Sequence, residues 1–180
     1  MTVKCIVRDI ICWDSIVVNI LNDDNSTCIS YIQQKMQELC DGMPAIIRPS
    51  EGLLVAIKRS REEGNWCRAE ILKCKDDMFK VHVIDWGVTE WVTNTKKLKQ
   101  IPRECEQWPA QAKILKLPLK LIEEEEIATA LMTECIRTKI DKDMIIEVVS
   151  YQETLCGHLL DLNGNIIYQS LINELVVSLL

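Results

Sequence analysis

The residues from Gly52 to Pro102 read GLLVAIKRSREEGNWCRAEILKCKDDMFKVHVIDWGVTEWVTNTKKLKQIP. Short apolar runs rich in β-branched residues alternate with polar turns in this stretch, and this pattern is typical of short β-strands. We predict strands at residues 53–57, 66–72, 78–85 and 89–92. Four or five short strands joined by tight turns favour a small barrel, because a barrel closes its own edges.

Two strands and a helix are predicted before this stretch. Residues 3–21 contain two apolar runs, which we interpret as two strands. Apolar residues then recur at helical spacing between residues 26 and 41. Gly42 follows where a helix-terminating glycine belongs, and Pro44 prevents continuation. We therefore predict a helix from about residue 26 to residue 41.

The sequence after residue 102 returns to mixed strands and helices. We predict a strand at 112–117 and then a helix that opens with the acidic run 123–126. A hairpin of 145–149 and 155–160 and a last strand at 166–168 follow. A short terminal helix from about Ser170 is expected to bury Leu171 and Leu175. The small barrel thus lies inside the sequence of another lobe. We expect its two flanks, residues 1–50 and 103–180, to form one unit of β-barrel and helices.

The composition limits the partners. The 180 residues are 48% hydrophobic and 27% charged, which is typical of a globular domain. The formal net charge of −6 argues against direct nucleic-acid binding, because a phosphate-binding face needs the opposite sign. A basic peptide suits this charge better.

The nine cysteines and the N-terminus indicate a reducing compartment. Nine is an odd number, and the first ten residues carry charges within their apolar stretch, unlike a secretory signal. We therefore interpret the cysteines as reduced thiols in the cytoplasm or nucleus. Because no apolar run reaches the roughly 18 residues of a membrane-spanning helix, we predict no membrane partner.

Several segments of the middle stretch together carry a family pattern. Gly52–Ala56 is an apolar strand that ends in alanine, Asn65–Ala69 contains Trp-Cys-Arg-Ala, and Ile84–Gly87 contains Asp-Trp-Gly, with Leu98 and Ile101–Pro102 at the end. Their order and spacing resemble the Tudor family, whose usual pattern is such a strand, then Trp-Tyr-Arg-Ala, Asp-Tyr-Gly-Asn, leucine and proline.

The flanks resemble those of extended Tudor domains. Pro109–Ala112 is similar to a Pro-Xaa-Gln-Ala-like segment of these domains, and Asp161–Gly164 is similar to their late Asp-Xaa-Xaa-Gly turn. The resemblance covers nearly the whole chain and implies one extended Tudor domain over residues 1–180. Its fold would be mainly β with helices: a small Tudor β-barrel, residues 51–102, inserted in a split staphylococcal-nuclease-like, OB-type β-barrel with helices.

The resemblance also implies a ligand pocket. Family members bind arginine-rich tails, commonly symmetrically dimethylated, in a cage of four aromatic residues and an asparagine, because aromatic faces attract a delocalised cation. The equivalent positions here are Lys58, Cys67, Val83, Trp86 and Val88. Only Trp86 is aromatic, and Val88 replaces the asparagine.

A changed ligand preference follows from this incomplete cage. One exposed tryptophan contributes roughly 0.5–1 kcal/mol of cation–π attraction, which is too little to select a methylated arginine. Unmodified arginine keeps five N–H donors and can pair with a carboxylate. Asp85 and Glu90 lie close in sequence to the pocket and are the candidate arginine-pairing carboxylates.

Some of these side chains have a structural alternative. Trp86 is either a surviving cage wall or part of the barrel packing. Arg68 and Asp85 either support the barrel by pairing with one another or touch the ligand. Three other tryptophans are expected to be structural, with Trp66 in the core: Trp66, Trp91 and Trp108.

The nuclease-like flank raises an enzymatic alternative. A calcium-dependent nuclease needs acidic metal ligands with arginine partners, and the matching flank segments offer no such set. Nucleophile-elbow, zinc-protease and phosphate-loop motifs are also missing from the sequence. We therefore predict no catalytic residues, no metal and no cofactor.

Two functions remain open at this stage. The first is a non-catalytic module that recognises an arginine-rich tail of a Piwi-clade Argonaute protein, in unmethylated form or independently of methylation, and acts as a scaffold in the piRNA pathway. The second is a scaffold or self-association module with a vestigial pocket. The resemblance implies a self-associating parent protein in cytoplasmic, perinuclear germ granules (nuage).

Overall fold

The computed structural model describes residues 1–59, 64–93 and 98–180. The elements in chain order are β1 (Thr2–Cys12), β2 (Ser15–Leu21), α1 (Asp23–Leu39), β3 (Leu54–Lys58), β4 (Trp66–Lys75), β5 (Met78–Val83), β6 (Val88–Thr93), β7 (Leu98–Lys99), α2 (Arg103–Glu106), β8 (Ala112–Lys116), β9 (Leu119–Leu121), α3 (Glu125–Arg137), β10 (Asp143–Tyr151), β11 (Leu155–Leu160), α4 (Gln169–Asn173) and β12 (Val177–Leu179). A 3-10 turn (Cys40–Gly42) follows α1. The chain divides into two compact units, one made of Met1–Asn22 with Ala112–Leu180, the other of Asp23–Gln111.

The first unit is a closed five-stranded barrel in the order β1-β10-β11-β8-β2. Its pairs are antiparallel except for β8 with β11, which is parallel. Alternate residues of each strand point to opposite faces, so Cys5 and Val7 of β1 are buried together with Ile16 and Val18 of β2. This alternation builds the interior of the barrel.

Helix α3 also contributes to the core of the first unit. Its buried residues, Ala128, Met132 and Ile136, recur every four positions and therefore lie on one face. Glu125 and Glu126 occupy its first turn, where the helix dipole favours negative charge. The helix covers the apolar residues that the barrel alone would leave exposed.

A close approach of two strands explains Gly157 in this barrel. The pairing of β10 with β11 shifts register between Val148 and Ser150, and Val148 faces Gly157. A β-carbon at Gly157 would lie 2.5 Å from the carbonyl oxygen of Glu147. Only glycine fits here without displacing the neighbouring strand.

The second unit is built on a five-stranded antiparallel sheet in the order β6-β5-β4-β3-β7. These are the strands that the sequence assigns to the small Tudor barrel. Their inner face buries one apolar cluster: Val55, Ile57, Cys67, Ala69, Ile71, Phe79, Val81, Val83, Val92 and Leu98. The alternation of β3 and β4 turns Ala56 and Trp66 to the opposite face.

Helix α1 packs on this opposite face. Ile32 and Met36 of the helix bury themselves against Ala56 and Trp66, with Cys40, Ile101 and Cys105 completing the cluster. The predicted lobe boundaries therefore differ from the two compact units: α1 and residues 103–111 group with the small sheet, because their buried apolar side chains pack there.

Two local predictions near the C-terminus are wrong. Residues 166–168 make a single bridge, between Ile166 and Leu160, instead of a strand. Leu175 is 67% exposed, because its positive φ of 57° ends the helical path after α4, whereas Leu171 is buried as predicted.

None of the helices in the described ranges combines the length and apolar character that crossing a membrane requires.

Candidate peptide-binding site

The second unit contains an open groove of about 550 Å³ between helix α1, the start of β4 and the turn after β5. Its lining residues are Ser30, Gln33, Gln34, Gln37, Asn65, Trp66, Cys67 and Trp86. The helix contributes hydroxyl and amide side chains, and the sheet contributes two indole rings and a thiol. The groove therefore combines uncharged polar side chains with aromatic surface.

Trp86 is held in place by a tight turn. The backbone N–H groups of Trp86 and Gly87 both donate to the carbonyl oxygen of Val83, at 3.1 and 2.7 Å. Gly87 adopts a positive φ of 70°, which glycine tolerates without strain. The half-buried Trp86 ring packs against the barrel core and also lines the groove. The two interpretations of Trp86 are thus compatible.

Gln37 joins the helix wall of the groove to the sheet wall. Its side-chain oxygen accepts from the backbone N–H of Trp66 and its side-chain N–H donates to the Trp66 carbonyl, both at 2.9 Å. The indole N–H of Trp66 donates to Asp41 Oδ1 at 3.0 Å. Trp66 is buried, as predicted, and these bonds fix the groove floor at the start of β4.

Arg68 and Asp85 form a buried ion pair inside the second unit. Arg68 Nε and Nη2 donate to the two carboxylate oxygens of Asp85 at 2.8 and 2.6 Å. The other Arg68 donors reach the carbonyl oxygens of Cys105, Trp108 and Pro109. All five guanidinium N–H groups are thereby satisfied. Asp85 is consequently removed from the candidates for pairing with a ligand arginine, because Arg68 engages both of its oxygens.

Lys58 lies beside the groove, although it is not one of the lining residues. Lys58 pairs with Trp66 in the β3–β4 register, so both side chains lie on the face that carries α1. The Lys58 ammonium is 5.5 Å from the Trp66 ring centroid and 3.8 Å from Asp41 Oδ1. Ile57, directly before it, points to the barrel interior instead. Lys58 therefore lies beside Trp66, a lining residue of the groove, and its assignment to the cage stays a prediction.

The remaining cage-equivalent residues separate into two groups. Cys67 lines the groove beside Trp86. Val83 is fully buried in the barrel core, and the half-buried Val88 packs against that core. The groove thus receives Cys67 and Trp86 from the five predicted positions, while Val83 and Val88 contribute to the barrel itself.

Arg59 is a charged residue of this region that the sequence interpretation missed. It is only 7% exposed, and its Nε lies 3.4 Å from Glu90 Oε2. The predicted ligand carboxylate Glu90 is thus paired with an arginine of its own chain. The alternation Val55, Ile57, Arg59 was the available signal, since the first two point into the core.

Of the other two tryptophans that the sequence assigns a structural role, Trp108 is packed and Trp91 is exposed. Trp108 packs beside the cluster under α1, and its ring centroid is 5.9 Å from that of Tyr31. Trp91, in contrast, is 49% exposed on β6 and is not a core residue.

Burial, with a contribution from Cys105, raises the pKa of the Cys40 thiol to about 12, so this thiol stays neutral. Within the described ranges, no group of three or more His, Cys, Asp or Glu side chains is arranged to hold a metal.

Comparison with known families decides the classification. Residues 1–119 match the family model of the Tudor domain. The chain belongs to the Tudor domain family. This Tudor domain also has close structural relatives over its whole length, and they agree with the mainly β fold with helices that the sequence predicts.

Solved extended Tudor domains superpose on the chain. The mouse TDRD1 domain TD3, in complex with a MILI peptide that contains dimethylarginine 45, has a TM-score of 0.81 and 23% identity, covering 100% of this chain and 94% of its own. Tudor in complex with Aubergine [R13(me2s)] has a TM-score of 0.78 and 19% identity. This match covers 95% of the present chain and 99% of the Tudor chain. The extended Tudor domain of Drosophila melanogaster Tudor-SN has a TM-score of 0.78 and 17% identity. This match covers 100% of the present chain and 86% of the Tudor-SN chain.

These likenesses establish the fold of the chain. At such identities, similarity in structure carries no residue-level statement about the ligand. A comparison with curated protein sequences finds no significant match.

Proposed function

We propose that this Tudor domain is a non-catalytic peptide-binding module that recognises an arginine-rich tail of a Piwi-clade Argonaute protein, in unmethylated form or independently of methylation. It would act as a scaffold of the piRNA pathway, within cytoplasmic perinuclear germ granules. The observation that carries the proposal is the groove beside Trp86, which combines one exposed aromatic face with a row of amide side chains.

The lining of the groove favours hydrogen bonding over methyl packing. Gln33, Gln34 and Asn65 carry amides that both donate and accept, so they match a peptide backbone or a guanidinium group. Symmetric dimethylation replaces N–H donors by methyl groups, which profit from a complete aromatic cage. With Trp86 as the aromatic cage-equivalent residue, methylation brings little gain here.

The ligand class is supported by the relatives. The extended Tudor domain TD3 of mouse TDRD1 binds a MILI peptide that contains dimethylarginine 45, and Tudor forms a complex with Aubergine [R13(me2s)]. The acidic net charge of the present chain suits the same class of basic tail. Neither observation favours a reaction, and the groove contains no arrangement of nucleophile and base among its lining residues.

The test is a titration of the purified domain with fluorescent arginine–glycine peptides, unmodified and symmetrically dimethylated. We expect the unmodified peptide to bind at least as tightly as the dimethylated one. Trp86→Ala should weaken binding roughly two- to fivefold, because about 0.5–1 kcal/mol of cation–π attraction is lost. Trp91→Ala is the matched control, since it removes an exposed tryptophan of the same unit that does not line the groove.

Two further variants keep the test decisive if Trp86→Ala does not fold. Trp86 is half-buried, so Trp86→Phe keeps the packing while reducing the cation–π surface, and Gln33→Ala removes a groove amide outside the core. Circular dichroism would verify the fold of each. Absence of binding to every peptide would contradict the proposed reader function and favour the self-association alternative, which sedimentation would then reveal as a concentration-dependent mass.

A further inference from the structure

Arg59 and Glu90 both belong to the inner face of the small sheet. Glu90 is directly opposite Val81 in the β5–β6 register, and Val81 is fully buried in the inner cluster. Arg59 follows Val55 and Ile57 by the alternation of β3, and these two residues belong to the same cluster. Directly opposite residues of an antiparallel pair point to the same face, so the two charges face the barrel interior.

Their contact shows how strongly this sheet is curled. Strands β3 and β6 are separated by β4 and β5, which corresponds to roughly 14 Å in a flat sheet. The Arg59 Nε and the Glu90 Oε2 nevertheless lie 3.4 Å apart. The sheet therefore brings the end of β3 to β6. The end of β3 is next to the beginning of β4, which carries the groove residue Cys67.

The pair combines a buried cation with a partly exposed carboxylate. The Arg59 side chain is 8% exposed, whereas 27% of the Glu90 side chain remains exposed. The Glu90 side chain therefore remains partly accessible to solvent, whereas that of Arg59 does not. Arginine is the cation whose donors match a carboxylate best, and here the chain itself supplies one.

We infer that Arg59 is a specificity-determining residue that competes, within the chain, with a ligand arginine for Glu90. In the native domain the Arg59 guanidinium occupies Glu90, so this carboxylate is already paired when a second guanidinium approaches. An incoming arginine is thereby directed to the amide-lined groove instead. This inference rests on the proposed peptide-binding function, but its test has a separate readout.

The decisive variant is Arg59→Met, which keeps much of the side-chain length and removes the charge. We expect it to bind the unmodified arginine–glycine peptide roughly tenfold more tightly than the native domain does, because Glu90 becomes free to form a charge-assisted pair. The gain should be smaller for the symmetrically dimethylated peptide, which has fewer donors. Adding Glu90→Gln to Arg59→Met should abolish the gain.

The possible outcomes are distinct from those of the proposed function. A gain in Arg59→Met supports the inference even if the native domain binds no peptide. The inference is overturned if Arg59→Met and the native domain bind the peptide with equal affinity, even when the native domain binds through Trp86. It is also overturned if both proteins are folded and neither binds the peptide. A loss of stability without a change in affinity would mean that the pair only closes the barrel, and this outcome also overturns the inference.

A second measurement uses the unaltered protein, in case Arg59→Met does not fold. The side-chain Nε–H of each arginine can be followed by nitrogen-15 NMR in water. We expect the Arg59 signal to exchange with solvent at least tenfold more slowly than that of the exposed Arg103, because Arg59 is buried against Glu90. Exchange of Arg59 as fast as that of Arg103 would overturn the inference.

Discussion

Arg68 and Asp85 are joined by two parallel hydrogen bonds of 2.8 and 2.6 Å, in a position where Arg68 is only 1% exposed. The bidentate geometry uses the planar fork of the guanidinium, which a lysine cannot reproduce. Through its remaining donors, Arg68 also holds the segment that follows α2. The pair thus connects β4 with the turn that carries Trp86.

Removal of this arginine should strongly destabilise the domain. Arg68→Met leaves the buried Asp85 carboxylate without its partner, and we expect the free energy of unfolding to fall by about 3–5 kcal/mol. Urea denaturation followed by tryptophan fluorescence would measure it. Arg103→Met is the matched control, because Arg103 is exposed, and its effect should stay within about 0.5 kcal/mol. A similar small loss for Arg68→Met would contradict the structural role.

The Gln37 contact with Trp66 should be needed to hold the two walls of the groove together. Gln37→Ala removes two hydrogen bonds to the Trp66 backbone, and we expect a loss of about 1–2 kcal/mol of stability. Gln34→Ala is the control, since the Gln34 amide bonds only to the exposed Glu38 side chain among the described contacts. Equal stability of the two variants would show that the Gln37 bonds contribute nothing net.

Gly157 should tolerate no side chain. Gly157→Ala places a methyl group 2.5 Å from the Glu147 carbonyl oxygen, and the resulting strain should cost about 2–3 kcal/mol. Gly42→Ala provides the comparison, because nothing lies within 4 Å of the added atom there. Thermal unfolding of both variants would show the difference. A melting temperature of Gly157→Ala equal to that of Gly42→Ala would mean that the barrel adjusts at no cost.

Asp14 should contribute to the acid sensitivity of the domain. Partial burial acts to raise its pKa, but hydrogen bonds from Ser15, Lys116 and Cys12 outweigh it and hold the pKa below the ordinary value. A lowered folded-state pKa means that the unfolded chain binds more protons as the pH falls. The stabilisation is therefore complete above the ordinary aspartate pKa of about 4 and is lost as the pH falls through the lower folded value.

The corresponding experiment compares the native domain with Asp14→Asn in urea at several pH values. The native domain should be the more stable at pH 6, and the difference between the two should shrink below about pH 4. Asp77→Asn, at an exposed position, should leave the pH dependence unchanged. A difference between native and Asp14→Asn that stays constant down to pH 3 would contradict the role of these hydrogen bonds.

The alternation of apolar residues was enough to predict most strands of the small sheet. This alternation is a local property, because side chains of a strand alternate with a period of two wherever the strand lies. The helical spacing of Ile32 and Met36 likewise predicted α1, which spans Asp23–Leu39. The family pattern carried by Trp66 and Arg68 was enough to indicate the Tudor fold.

The tertiary structure alone brought Arg59 to Glu90, and it decided between the two alternatives that the sequence left open for Arg68 and Asp85. The Arg59–Glu90 and Arg68–Asp85 pairs join residues that are 31 and 17 positions apart, and their contact depends on how the sheet curls and where the turn after β5 returns. The short pair β9–β12 also went unpredicted, because Leu119–Leu121 and Val177–Leu179 carry no strong local signal. Local pattern determines which residues are buried. The curl of the small sheet determines which buried and half-buried groups are partners, and hence that Glu90 lies against an arginine of its own chain.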